Sequence, residues 1–171
     1  GGVFRESSSI TAGWGADEYV TPLASAGGMD GFILEIVYND GEISNEGSIG
    51  GAGADVIYGI TRGDSATYLT GYFTGTADLD PGSGSYELET NSGTRNAFVI
   101  KAEGMDMVWG AAPQQYSSSW LEDGMSVGRD IRINQAGTAV YAAGKFQGDV
   151  DFNHSDSVSA QYTVSEDIFL W

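Results

Sequence analysis

Two short acidic runs are the first places in this chain where side chains could hold an ion. Asp78 and Asp80 precede Pro81-Gly82, and Asp149, Asp151, Asn153 and Asp156 form a comparable run. Calcium takes about six to eight oxygens from carboxylates, amides and carbonyls, and Asp-x-Asp spacing on a tight loop supplies some of them. Neither run carries the distal glutamate of an EF-hand loop. The competing reading is turn chemistry, in which Asp and Asn side chains bond their own backbone. Calcium is therefore a candidate cofactor at Asp78, Asp80, Asp149 and Asp151, and a turn is the alternative at each. Asn153-His154-Ser155 also has the form of an N-glycosylation acceptor.

Catalytic chemistry has little to build on. His154 is the only histidine, with Ser155 and Asp156 directly after it. Working triads draw their members from distant segments, so three adjacent residues read as a solvated turn. Zinc needs several His or Cys ligands, and the chain has no Cys. The expectation is that the protein is not an enzyme. Aromatic residues suggest sugar stacking instead. Trp14 and Trp120 sit in Gly- or Ser-rich stretches, and with Tyr116 they are the candidates for glycan contact. Trp109 lies in an apolar strand pattern and is expected in the core. The serine runs Ser7 to Ser9 and Ser117 to Ser119 read as loops.

The elements that must position these residues recur about every seventy positions. Gly2-Val3-Phe4, Gly71-Tyr72-Phe73 and Gly144-Lys145-Phe146 place phenylalanines 69 and 73 residues apart. Asp30-Gly31-Phe32, Asn96-Ala97-Phe98 and Asp167-Ile168-Phe169 form a second set in the same order. Periods of this length mean stacked or radial repeats. The repeats divide the chain into 1–50 (partial), 51–120 (complete) and 121–171 (partial), about two and a third units in one continuous array.

In the complete unit, Val56 to Arg62, Thr67 to Thr74, Asn96 to Ala102 and Met107 to Ala111 read as strands, forming two hairpins. Thr76 to Ser85 reads as a loop, and Ser85 to Thr90 as a short extra strand. The third unit repeats this with Asp130 to Asn134, Ala139 to Phe146, a loop from Gln147 to Ser157, a short strand over Gln161 to Ser165, and Asp167 to Trp171. The first unit keeps Gly31 to Tyr38 and Glu42 to Gly47 around an Asp-Gly turn, with Gly2 to Phe4 left of its first hairpin. The expected fold is all-β, with two hairpins and about four main strands in each complete unit.

Composition narrows the partners. A formal charge of −17 with seven Lys and Arg in total argues against nucleic acid, whose phosphates demand clustered basic residues. No apolar run is long enough for a membrane span. The sequence given opens within a repeat and shows no basic segment followed by an apolar one, so no signal peptide is expected in it.

The complete unit resembles a bacterial β-propeller repeat family of secreted and surface proteins. The residues that carry the resemblance are Tyr68 to Gly82 (YLTGYFTGTADLDPG), Asn96 to Lys101 (NAFVIK) and Val108-Trp109, and it is sharp from about Asp55 to Trp109. The resemblance implies one blade per unit, with Val56 to Arg62 innermost and Met107 to Ala111 outermost. The first unit departs from the pattern, with Ser8, Ser9, Ile10 and Thr11 where the middle unit has Ala77 to Asp80.

Propellers close with about four to eight blades, so this stretch cannot close a ring alone. The end units should present unpaired strand edges. Phe169, Leu170 and Trp171 at one end, and Val3 and Phe4 at the other, are the candidate assembly residues. The expected role is a non-catalytic structural module of an extracellular or cell-surface protein. It would self-associate into a ring or filament, or join the remainder of a larger repeat protein. The alternative is a carbohydrate- or ligand-binding module that uses the loop aromatics and the acidic runs.

Overall fold

The computed structural model describes residues 1–6, 8–12, 19–39, 41–91, 93–116, 124–153 and 160–171, with backbone alone at 160, 162 and 164. Among these the chain forms strands and turns and no helix. The middle unit is one antiparallel sheet of β6 (Val56–Arg62), β7 (Thr67–Thr74), β10 (Arg95–Glu103) and β11 (Asp106–Ala111), in the order β11-β10-β7-β6. Gly63 N–H bonds the Ala66 carbonyl at 2.8 Å to close the first hairpin. Gly104, at φ 63°, turns the second, a conformation that glycine adopts without a Cβ penalty.

The two middle strands, β7 and β10, are buried on both faces, which explains their near-continuous apolar runs. Leu69, Phe73, Phe98 and Ile100 point to one side and pack with Ile33, Ile49 and Leu79. Tyr68 and Val99 point to the other and pack with Ile131 and Ala142, and Ala97 with Phe146 and Phe169. The period-two alternation of a strand thus feeds two cores, one on each side of the middle unit.

The third unit repeats the plan with β13 (Met125–Ile133), β14 (Val140–Asp151) and β15 (Ala160–Leu170), where β14 pairs β13 on one edge and β15 on the other. Both first hairpins carry a bulge at the same place, between Ile57 and Gly59 and between Gly128 and Asp130. The two bulged residues stack, with the Arg129 guanidinium 4.4 Å from the Tyr58 ring centroid. The repeated glycine of the Gly-x-Phe landmark has a steric cause. A Cβ at Gly71 would collide with the Val56 carbonyl oxygen, and one at Gly144 with the Val127 carbonyl oxygen.

The first unit holds β1 (Gly2–Arg5), β4 (Met29–Ile36) and β5 (Ile43–Gly51), in that sheet order. It supplies the second, third and fourth strand positions, and the third unit supplies the first, second and third. Around the expected Asp-Gly turn, Val37 N–H bonds the Glu42 carbonyl at 2.8 Å and Gly41 N–H bonds the Val37 carbonyl at 3.0 Å, while Asp40 lies outside the described residues.

Two segments expected to be loops are partly strand. β8 (Thr76–Asp78) occupies the start of Thr76 to Ser85, and β14 runs on through Asp151. Each follows a glycine at positive φ, Gly75 at 70° and Gly148 at 75°, which re-aims the backbone into a second small ladder. There β8 pairs β9 (Glu87–Glu89), and Gly148 to Asp151 pair Ala160 to Thr163 of β15. In the first unit the same place holds a separate ladder of β2 (Ser8–Ala12) and β3 (Tyr19–Leu23).

These small ladders also tie units together. The end of β5 pairs β8 at Gly50–Asp78 and Gly51–Ala77. An unanticipated strand after β11, β12 (Gln114–Tyr116), pairs Asp149 to Asp151 of β14. The tail of one unit's fourth strand therefore becomes an edge strand of the next unit.

Candidate functional site

The acidic runs are built as turns. Asp78 Oδ1 accepts the N–H groups of Asp80 at 3.0 Å and Tyr86 at 2.8 Å. Asp80 Oδ1 accepts Gly82 N–H at 2.8 Å and Met107 N–H at 3.4 Å, tying the loop to β11. Asp151, in the seat of Asp78, accepts Asn153 N–H at 2.8 Å. Asp149 lies in β14 opposite Tyr116 and Tyr162. Among the described residues no group of three or more His, Cys, Asp or Glu is placed to hold a metal ion. Asp78 Oδ1, Asp80 Oδ1 and Asp151 Oδ1 thus serve backbone donors, which suits turn closure.

Of the glycan candidates, Tyr116 lies in β12, half-buried, its hydroxyl donating to Gln114 Oε1 at 3.0 Å. Trp14 and Trp120 lie outside the described residues, as do His154, Ser155 and Asp156. Asn153 is exposed, while the rest of its sequon is outside the described residues. Trp109 corrects an expectation, because it is 41 % exposed rather than in the core. Its strand β11 is the edge of the middle sheet, and among the described residues no fourth strand of the third unit lies over it. With Val99, Ala111, Val140, Ala142 and Trp171 it lines an apolar groove of about 230 Å³ between the second and third units.

The five assembly candidates separate by side-chain direction. Phe4 is buried at 8 % and meets Phe32 edge-on, with centroids 6.3 Å apart, while Val3 beside it is exposed. Phe169 is buried beside Phe146, and Trp171 packs half-buried against the cores around Ile131 and Phe146. Leu170 points outward at 74 % exposure, with Ile168 at 83 %. The backbone of β15 points outward too. Trp171 N–H bonds the Ala142 carbonyl at 2.7 Å, and Ala142 N–H bonds the Trp171 carbonyl at 2.8 Å. Hydrogen-bonding direction alternates along an antiparallel strand, so the Leu170 amide and carbonyl face away from β14. The first unit has β5 in the fourth-strand position and the middle unit has β11. In the third unit, among the described residues, that position is open.

Sequence reasoning missed a polar pair at each joint between units. Asn96, buried, donates from Nδ2 to the Pro113 carbonyl at 2.8 Å and accepts Ser126 Oγ–H on Oδ1 at 2.8 Å. Ser126 Oγ in turn accepts Ala97 N–H at 2.9 Å. One joint earlier, the same two seats hold Asp30 and Asp55. Asp55 is fully buried and accepts Gly51 N–H at 2.9 Å and Thr74 N–H at 3.0 Å. Burial pushes the Asp55 carboxyl up to about 6. The two N–H donors oppose that rise and the Asp30 charge adds to it. The signal was present in the landmark itself, which opens on Asp30, Asn96 and Asp167 just before a buried phenylalanine.

Compared with known proteins, the chain matches no family model, no curated protein and no solved structure.

Proposed function

We propose that this chain is a non-catalytic, propeller-like structural module of an extracellular or cell-surface protein, which assembles through its sheet edges. The observation that carries the reading is the outer edge of β15. Strand positions three and four pair in the first and middle units, and in the third unit the third position presents unpaired backbone groups beside exposed Ile168 and Leu170. An added strand would gain both main-chain hydrogen bonds and apolar cover there. The partner is a fourth-strand segment, from a second copy or from the remainder of a longer repeat protein. The acidic surface suits solubility outside the cell.

Light scattering and negative-stain electron microscopy of the purified chain test this, with Leu170→Pro as the probe. Proline at 170 removes an amide that points to the open edge and leaves the Ala142–Trp171 bonds in place. The expected outcome is assemblies for the parent chain and a folded monomer for Leu170→Pro. A parent chain that stays monomeric at high concentration sinks self-association.

A second reading, carbohydrate binding, is favoured by the half-exposed Trp109 and its apolar groove. It predicts a glycan-array signal that Trp109→Ala removes.

A further inference from the structure

The joint between the first and second units contains a buried oxygen that no group among the described residues satisfies. Asp30, at the start of β4, is 2 % exposed. Its Oδ2 accepts Ala26 N–H at 2.5 Å, while its Oδ1 is buried with no hydrogen-bond partner. Asp55, 0 % exposed, is held to the same place by its own N–H, which bonds the Met29 carbonyl at 2.5 Å. Two carboxyls thus share one dry joint. A second ionised carboxylate in such a place is costly, and burial, with the Asp30 charge nearby, holds the Asp55 carboxyl above its usual range.

The other joint shows what the seat is shaped for. By strand register Asp30 occupies the place of Asn96, since Phe4 faces Asp30 as Phe73 faces Asn96. Asp55 occupies the place of Ser126, since Val56 and Val127 begin the matching pairs with Tyr72 and Lys145. In the Asn96 seat one side-chain atom is a donor, reaching the carbonyl of Pro113. The position of Pro113 corresponds to Ile49 on β5. Asp30 Oδ1 lies against the next residue, where a Cβ on Gly50 would collide with it. The seat asks for a hydrogen at that atom.

We propose that Asp55 carries a proton in the folded protein at mildly acidic pH and presents it to the bare Oδ1 of Asp30, and that this proton locks the first unit to the second. A proton on Asp55 supplies Asp30 with the missing donor, as the Ser126 hydroxyl does for Asn96 one joint later. Loss of the proton leaves two negative charges in the joint and loosens it. Among the described residues no group of three or more His, Cys, Asp or Glu is placed there to hold a metal ion. The charged residues that register sets beside the pair do not relieve it. Arg5 lies opposite Met29 on β1 and is exposed, and Asp78 lies opposite Gly50 on β8 with its Oδ1 committed to two amides. Neither makes an ion pair with Asp30 or Asp55.

The sign of the effect follows from linkage. A carboxyl whose folded pKa lies above its unfolded one binds more protons in the folded state, so stability falls as pH rises between the two values. With Asp55 raised from 3.8 to about 6, the folding equilibrium constant drops on the order of a hundredfold from pH 4 to pH 7. The experiment is urea unfolding across that range, for the parent and for Asp30→Asn/Asp55→Ser, which installs the chemistry of the other joint. It is run with calcium and with chelator, alongside infrared detection of protonated carboxyl in the folded parent. A falling parent curve, a flat variant curve and a protonated-carboxyl band lost in the variant support the proposal. A parent curve that is flat or rises with pH, or a folded parent without the band at pH 5, overturns it. So does a joint that calcium tightens at constant pH. The infrared measurement on the parent decides the matter even if the variant does not fold.

Discussion

Between the second and third units, Asn96 and Ser126 meet as a neutral pair whose polar atoms find partners. Between the first and second units, the same backbone seats hold Asp30 and Asp55, and one carboxyl oxygen is left bare. At the free end of the third unit the seat recurs as Asp167, which is exposed and whose carboxylate accepts the N–H of Ile168. One position in the repeat is therefore a satisfied amide, a buried acid and a solvated acid, depending on what packs against it. Backbone repetition sets the geometry of the joints, and side-chain choice sets their strength and pH response.

The largest effect in this comparison should come from the apolar layer that both joints share. Phe98 is 0 % exposed and packs towards the first unit. Phe146 is 6 % exposed and packs in a smaller cluster towards the end of the array. Phe98→Ala should cost about 3–5 kcal/mol, the usual range for a large cavity in a core that cannot collapse. Phe146→Ala should cost measurably less, because fewer neighbours fix the cavity around it. Urea unfolding of the two variants tests this ranking, and equal losses would show that the two joints are packed to the same standard.

The next effect exchanges the polar chemistry of the joints. Asn96→Asp removes the donor to the Pro113 carbonyl and puts a carboxyl where a neutral amide was satisfied. The expected loss is about 2–4 kcal/mol at pH 7, from an unsatisfied buried acceptor and a desolvated charge. Protonation at pH 4 restores a donor, so the loss should shrink there. A variant equally weak at both pH values would mean that the seat penalises shape and not charge.

Much of this architecture could be read from residues. Val56 to Arg62 and Thr67 to Thr74 are the observed bounds of β6 and β7, because β-branched and aromatic runs ended by Gly63-Asp64-Ser65 leave little choice. The repeated Gly-x-Phe landmark was legible as a pattern, and its cause, a carbonyl where a Cβ would be, needed coordinates. The short strand expected over Ser85 to Thr90 is present as β9, whereas β8 and β12 have three residues each, too short for periodicity, and each pairs a strand of another unit. Trp109 was misjudged because a strand pattern shows that one face is apolar and leaves open whether another sheet covers it. The acidic runs carried residue types that suit calcium and turns alike, and the coordinates add that one oxygen each of Asp78, Asp80 and Asp151 accepts local amides. Asp30 was visible as part of a landmark, but its pairing with Asp55 depends on two units meeting.

The smallest effect concerns the turn that leads from each large sheet to its small ladder. Gly75 and Gly148 make that turn at positive φ, and in the first unit the equivalent residue is Glu6, at φ 56°. A side chain in the left-handed region is strained, and glycine relieves the strain while adding entropy to the unfolded chain. The two terms oppose each other, so Glu6→Gly should stabilise the protein by no more than about 1 kcal/mol. The matching test is Gly75→Ala, which imposes the same conformation on a residue with a Cβ. No other atom stands near that Cβ, so the change isolates backbone strain, and it should destabilise by about 1 kcal/mol. If thermal unfolding shows both changes to be neutral, the left-handed turn is not what divides the ladders. The β5–β8 and β12–β14 pairings between units would then be the features that hold the small ladders in place.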